Sequence, residues 1–201
     1  MSYLSEKYAI ASSRTLTLLP WDTAEEIIDV LIRLRSQGGR VFVVGLGGSA
    51  GNASHMVNDL RKLTGIEAYS PADNVSELTA RINDDGWGNA FVGWLRISRL
   101  SAEDAVFVLS VGGGDLERGV STELVAAVDY AKSQGAAVLG IVGRDGGHTA
   151  AVGDHVVVIP TVDSTLVTPI AEAFQALVWH GMVSHPDLAV SQAHWEAIAD
   201  S

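Results

Sequence analysis

Apolar positions along the chain fall into two recurring patterns. Short runs, most of them continuous and β-branched or aliphatic, occur at 41–44, 66–69, 105–110, 137–142 and 155–159. Such runs predict strands buried on both faces of a parallel sheet. Between them, at 50–63, 87–99, 121–133 and 168–184, apolar residues recur at the spacing of helices. Residues 3–17 also read as a helix. Asp22-Thr23-Ala24-Glu25 resembles a capping box, and Ile27, Ile28, Val30, Leu31 and Leu34 then form a helical stripe that stops before Gly38-Gly39. Strands alternating with helices require right-handed crossovers, so the expected fold class is α/β: a doubly wound, five-stranded parallel sheet flanked by helices. No repeat, linker or low-complexity tract divides the chain. One domain is expected over 1–201, with a helical segment at 1–36 and the sheet core and last helix at 40–185. Ligands of such sheets sit beyond the carboxyl ends of the strands, where the loops after 44, 110 and 142 lie.

Composition narrows the chemistry. Apolar residues make up 47% and charged residues 18%, which excludes a disordered chain. Cysteine is absent, so disulfides, thiolate metal sites and a cysteine nucleophile are excluded. The start, MSYLSEKYAIASS, lacks a basic region followed by an apolar one, and no run approaches a membrane span; a cytoplasmic protein with no membrane partner is expected. A net charge of −11 argues against nucleic acid as a partner. An anionic ligand would have to be held by local N–H groups and hydroxyls.

Residues 41–63 carry the strongest signal. An apolar strand runs into Gly45-Leu46-Gly47-Gly48-Ser49 and a helix follows, which aims N–H groups and the positive end of a helix dipole at an anion. His55 and Asp59, four residues apart, share one face of that helix. After the third strand, Ser110-Val111-Gly112-Gly113-Gly114-Asp115 lets backbone approach a ligand, and Ser121 stands where it would cap the next helix. Asn83-Asp84-Asp85-Gly86 and Gly143-Arg144-Asp145-Gly146-Gly147 read as turns. The last helix opens at Thr168-Pro169 and carries Glu172, Gln175, Trp179 and His180 among Ile170, Phe174, Leu177, Val178, Met182 and Val183, so it is a core or interface helix. A carboxylate in that setting requires a partner. His148, His155, His185 and His194 lack such company and read as surface residues.

Together these segments resemble the SIS (sugar isomerase) fold, a five-stranded flavodoxin-like arrangement, and more closely the phosphoheptose isomerases, the sedoheptulose 7-phosphate isomerases. The resemblance spans about residues 20 to 185. It rests on the spacing from Gly47 to His55, the Asn83-Asp84 pair, the Ser110 loop, GRDGG and His180. It implies conversion of a ketose phosphate to an aldose phosphate through a cis-enediol, with Asp59 as base and His180 as acid. It further implies a divalent metal, zinc in several members, held by His55, Asp59, Glu172 and His180. Substrate contacts are implied at Gly47, Gly48, Ser49, Asn83, Asp84, Ser110, Gly112, Gly113, Ser121 and Glu172. The family is homotetrameric with active sites shared between subunits, which places the first and last helices in the oligomer interface.

Several positions depart from the family pattern. Asp59 stands where relatives have a longer Glu, Glu172 where they have Gln, and Leu46 where they have Asn. The phosphate loop, S-T-S-G-N-S in relatives, is here the longer SVGGGDLERGVS; two inner hydroxyls become Val111 and Gly112, leaving Ser49, Ser121, backbone N–H groups and Arg118 to hold the anion. Two other readings follow from these changes. One is a non-catalytic SIS protein that binds sugar phosphates or other proteins. The other is an isomerase for a different sugar phosphate.

Overall fold

The strand-forming runs pair edge to edge in the order β2-β1-β3-β4-β5, and every pair is parallel. The computed structural model describes residues 2–199. The strands are β1 (Arg40–Gly45), β2 (Glu67–Tyr69), β3 (Ala105–Ser110), β4 (Ala137–Val142) and β5 (His155–Val158). Helices α2 (Trp21–Gln37), α3 (Gly48–Leu63) and α8 (Val167–Val183) supply one face, where Ile27, Leu31, Met56, Leu60, Phe107 and Trp179 share a core. The other face is covered by α5 (Ala90–Ile97) and α6 (Thr122–Ser133), with Phe42, Phe91, Leu95, Val106, Leu124 and Val128. Burial on both faces is why the strands read as unbroken apolar runs. The connection from β1 leads outward to β2 in one direction, and those from β3 lead to β4 and β5 in the other. The crevice of such a sheet opens at the carboxyl ends of β1 and β3.

The amino edge is closed by an ion pair. Arg40 Nη2 lies 2.8 Å from Asp104 Oδ2, and Asp104 also accepts hydrogen bonds from the Ser101 N–H and hydroxyl. Burial alone would raise the Asp104 pKa, but these hydrogen bonds from Arg40 and Ser101 outweigh it and hold the carboxyl below its ordinary value.

The helices differ from the sequence reading in instructive places. Residues expected to form a turn at 83–86 mostly belong to α4 (Val75–Asp85). That helix buries no residue; it is capped by the Asn74 side chain and laced by Arg81 between Glu77 and Asp85, so no apolar period announces it. The expected helix at 87–99 is a 3-10 turn, Trp87–Asn89, followed by α5. The N-terminal helix is a π-helical stretch, Tyr3–Tyr8, continued by α1 (Ala9–Leu18). Two expected caps are not formed. Helix α2 opens at Trp21 with Pro20 at its cap, so Asp22–Glu25 lies inside the first turn, and α8 opens at Val167, putting Thr168 and Pro169 inside its own. Short helices α7 (Gly147–Val152) and α9 (His194–Ala199) complete the described chain. The apolar side of α8 is buried within the protomer, whereas α1 leaves Ile10, Leu16 and Leu18 exposed. No helix among the described residues is long and apolar enough to cross a membrane.

Candidate active site

Helix α3 packs along α8, and a polar clasp sets their register. Asn52 Nδ2 donates to the Glu172 carbonyl (2.9 Å) and to Gln175 Oε1 (3.1 Å), beside an apolar seam that includes Ala53, Met56, Phe174 and Val178. This register brings His55 and Asp59 of α3 to His180 of α8. Asp59 Oδ2 lies 3.6 Å from His55 Nε2 and 3.8 Å from His180 Nε2, and one ligand atom from each of the three lies within 4.8 Å of the others. The Asp59 side chain is only 12% exposed, while both imidazoles are about half exposed. His180 Nδ1 lies 2.8 Å from the Ala176 carbonyl. A carbonyl only accepts, so Nδ1 carries a proton, and Nε2 is the ring nitrogen turned toward Asp59. Trp179 stacks on the His180 ring at 3.6 Å and meets His55 edge-on at 4.8 Å, which fixes both ring planes.

Two imidazoles and a carboxylate form a three-ligand set of the kind that holds a divalent ion with a coordination position left open. Tetrahedral ligands about 2 Å from an ion stand roughly 3.3 Å apart, so the 3.6 and 3.8 Å separations need to shorten only slightly, while the widest pair, within 4.8 Å, must close further. The donor set and its carbonyl-oriented histidine therefore fit a metal.

A second locus lies at the crevice between β1 and β3. A cavity of about 170 Å³ is lined by Leu46, Ser49, Ser110, Gly112, Ser121 and Arg144, among others. The Ser49 hydroxyl is buried and has no hydrogen-bond partner. Ser110 Oγ accepts from the N–H groups of Gly112 (3.3 Å) and Gly113 (3.0 Å), which leaves its own proton free to donate. Ser121 adopts φ 51° and its side chain makes no cap on α6, contrary to the sequence expectation; the hydroxyl lines the cavity instead. The inserted residues form a small hairpin, with Asp115 and Val120 exchanging backbone hydrogen bonds at 2.8 and 2.9 Å. Arg118 is tied to Asp115 on that hairpin at 2.8 Å and does not line the cavity, which corrects its expected role.

Other expected site residues are distributed differently. Glu172 stands two turns before His180, roughly 12 Å along the axis, and is not part of the His55–Asp59–His180 group. Its carboxylate lies against the first turn of α3, where a Cβ on Gly48 would come within 2.4 Å of Oε2. The amino end of α3 thus already faces a carboxylate. Gly47, at φ 58° and ψ −125°, takes a conformation open only to glycine. Asn83 and Asp84 sit exposed near the end of α4, bonded to each other at 2.8 Å and outside the cavity. Gly113 is buried backbone, packed on the Gly146 carbonyl. His148, His155 and His185 each sit near the surface beside a carboxylate, Asp129, Glu26 and Glu25 respectively, and His194 is exposed. Arg144 lines the cavity although its GRDGG loop reads as a turn; the position of that loop at the carboxyl edge was the available signal.

No family model matches the chain. It is similar to the lincomycin biosynthesis protein LmbN of Streptomyces lincolnensis, at 33% identity over 159 residues that cover 74% of this chain and 56% of that protein. The phosphoheptose isomerase of Helicobacter hepaticus is 28% identical over 175 residues, covering 85% of this chain and 83% of its own. The chain therefore spans little more than half of the first relative and most of the second. Among solved structures, phosphoheptose isomerase GmhA from Neisseria gonorrhoeae matches with a TM-score of 0.73 at 25% identity, covering 87% of this chain and 90% of that one. A phosphoheptose isomerase from Francisella tularensis matches with a TM-score of 0.75 at 21% identity, covering 91% and 97%, and supports the shared fold.

Proposed function

We propose that the chain, which is similar in sequence and fold to phosphoheptose isomerases, interconverts a ketose phosphate and an aldose phosphate, with sedoheptulose 7-phosphate as substrate. The observation that carries the reading is the meeting of Asp59, His55 and His180 on two packed helices, one of which, α3, starts at a cavity of hydroxyls in the sheet crevice. Ser49 and His55 are separated by roughly 9 Å along α3, so a phosphate at one end of an extended sugar leaves the carbonyl end near the histidines. Aldose formation removes a proton from the carbon beside the carbonyl and returns one to the former carbonyl carbon. Asp59 takes and returns that proton, and His180, with Nε2 available, moves the proton between the two oxygens. A divalent ion such as zinc would be held by His55 and one oxygen of Asp59, with His180 Nε2 joining them only when it carries no proton, and would polarise those oxygens. Glu172 serves the substrate side at the α3 terminus rather than the ion.

The single domain acts in the cytoplasm as a homotetramer whose subunits share active sites; the exposed Leu4, Ile10 and Leu18 of the N-terminal segment support burial against another copy. The test is a panel of ketose phosphates with the metal-supplemented protein, following aldose formation. Sedoheptulose 7-phosphate is expected to be converted, and Asp59→Asn and His180→Ala to lose that conversion. Full turnover by both variants would sink the assignment, and binding without turnover would favour a sugar-phosphate sensor.

A further inference from the structure

Two loops at the carboxyl edge of the sheet are locked together through their backbones. The Gly143 N–H donates to the Ser110 carbonyl at 3.1 Å, His148 N–H to Gly114 at 2.9 Å, and Thr149 donates to the Gly113 carbonyl from both its N–H (2.9 Å) and its hydroxyl (2.7 Å). The fit admits no side chains: a Cβ on Gly113 would lie 1.9 Å from the Gly146 carbonyl oxygen, and one on Gly147 would lie 2.2 Å from that of Gly112. This interlock carries Arg144 over Gly112. A Cβ at position 112 would stand 3.5 Å from Arg144 Cδ and 3.7 Å from Nη1. Arg144 itself holds φ 53°, a left-handed conformation that a non-glycine residue adopts at a cost.

Three observations bear on what that arginine does. Among the described residues it is the only charged side chain lining the cavity that Ser49, Ser110 and Ser121 also line. Among the described residues no carboxylate pairs with it and no hydrogen bond holds it, in a chain of net charge −11. Independently, the buried Ser49 hydroxyl of the same cavity has no partner of its own. Buried hydroxyls ordinarily find partners, so an unpaired one in the same cavity as a free guanidinium points to an anion as the ligand of both. The other cation considered for this role, Arg118, is spent on Asp115, and Glu172 makes the amino end of α3 less receptive to a dianion.

We propose that Arg144 is the residue that binds the substrate's phosphate, its guanidinium engaging the phosphate oxygens while Ser49, Ser110 and Ser121 donate hydroxyl hydrogen bonds. The sugar-phosphate identity of the ligand rests on the isomerase reading, whereas the anion site is testable without turnover. A guanidinium offers a planar pair of donors that fits two phosphate oxygens at once, which three hydroxyls in an acidic protein do not replace.

The test is binding of inorganic phosphate by the protein, measured by calorimetry, together with kinetics on sedoheptulose 7-phosphate. Arg144→Gln is expected to weaken phosphate about 10- to 100-fold, the range of a lost charge-assisted pair, and to raise KM by a similar factor while kcat changes far less. Arg144→Lys should recover part of both. Arg144→Gly removes the charge and also the left-handed strain, so it should melt no lower than the parent and still bind phosphate as weakly as the Gln variant. Arg118→Gln should alter neither quantity. If the protein turned over no sugar phosphate yet bound inorganic phosphate in an Arg144-dependent way, the isomerase reading would fail and the Arg144 site would stand. Phosphate affinity within twofold of the parent in both the Gln and Gly variants would overturn the proposal, as would undetectable phosphate binding by the parent at millimolar concentration.

Discussion

Leu46 and Gly47 alone separate β1 from α3, whereas residues 111–121 and a small hairpin separate β3 from α6. Both loops are glycine-rich, both leave adjacent parallel strands, and both border one cavity. The short loop delivers chemistry by helix geometry: once Gly47 turns the chain, the positions of His55 and Asp59 follow from the pitch of α3. The long loop delivers only the Ser121 hydroxyl. Ser110, at the end of β3, braces its Gly112 and Gly113, its Arg118 is paired locally, and the cation that faces the cavity comes from the loop after β4. A motif that acts through its own helix can be read from spacing. One that acts through what packs on it cannot.

The largest expected effect separates the proton-transfer end from the anion end. His180→Ala and Asp59→Asn are each predicted to lower turnover by about 1,000-fold, within the range for loss of an acid/base group, while phosphate affinity by calorimetry stays at the parental value. A parallel fall in both quantities would merge the two loci into one.

Glycine substitutions compare the loops directly. Gly113→Ala meets the Gly146 carbonyl at 1.9 Å from a left-handed backbone, and a backbone neighbour cannot swing aside. A loss of about 3 kcal/mol in denaturant unfolding is expected, with phosphate binding lost as the interlock opens. Gly47→Ala has open space around its Cβ and carries backbone strain alone, so about 1–2 kcal/mol is expected. Equal losses at the two positions would remove the distinction between a packed loop and a merely bent one.

Between these in size stands a control at the opposite edge of the sheet. Asp104→Asn should cost about 2 kcal/mol by weakening a pair that is nearly buried on the aspartate side, with turnover per folded molecule unchanged. Because the Asp104 pKa is depressed on folding, its stabilisation is complete above the ordinary carboxylate pKa of about 4 and disappears as pH falls through the folded value. The parent should therefore lose more stability than the Asn variant below that pH. A parallel acid dependence in the two proteins would contradict the sign.

Strands β1, β3 and β4 were legible because burial on both faces leaves no polar position to confuse the period. Helix α4 was not, since its stability comes from a cap and from Arg81 ion pairs rather than from an apolar stripe. The pairing of His55 with Asp59 is local, but their convergence with His180 depends on the α3–α8 clasp through Asn52, which only the family resemblance anticipated. That resemblance also grouped Glu172 with the histidines; the structure sets it against Gly48, a contact between distant segments invisible to counting along α8. Arg144 escaped for a similar reason, because its place over Gly112 is fixed by the β3–β4 register and the interlocked glycines beyond it.

The most direct test of the central claim is solvent isotope incorporation during turnover of sedoheptulose 7-phosphate in deuterium oxide, followed by nuclear magnetic resonance. A cis-enediol formed at Asp59 and His180 predicts an aldose product labelled at C2, with both label and product lost in His180→Ala. An unlabelled ketose that remains unchanged with the metal-supplemented parent protein, or label that persists undiminished in His180→Ala, would contradict the account.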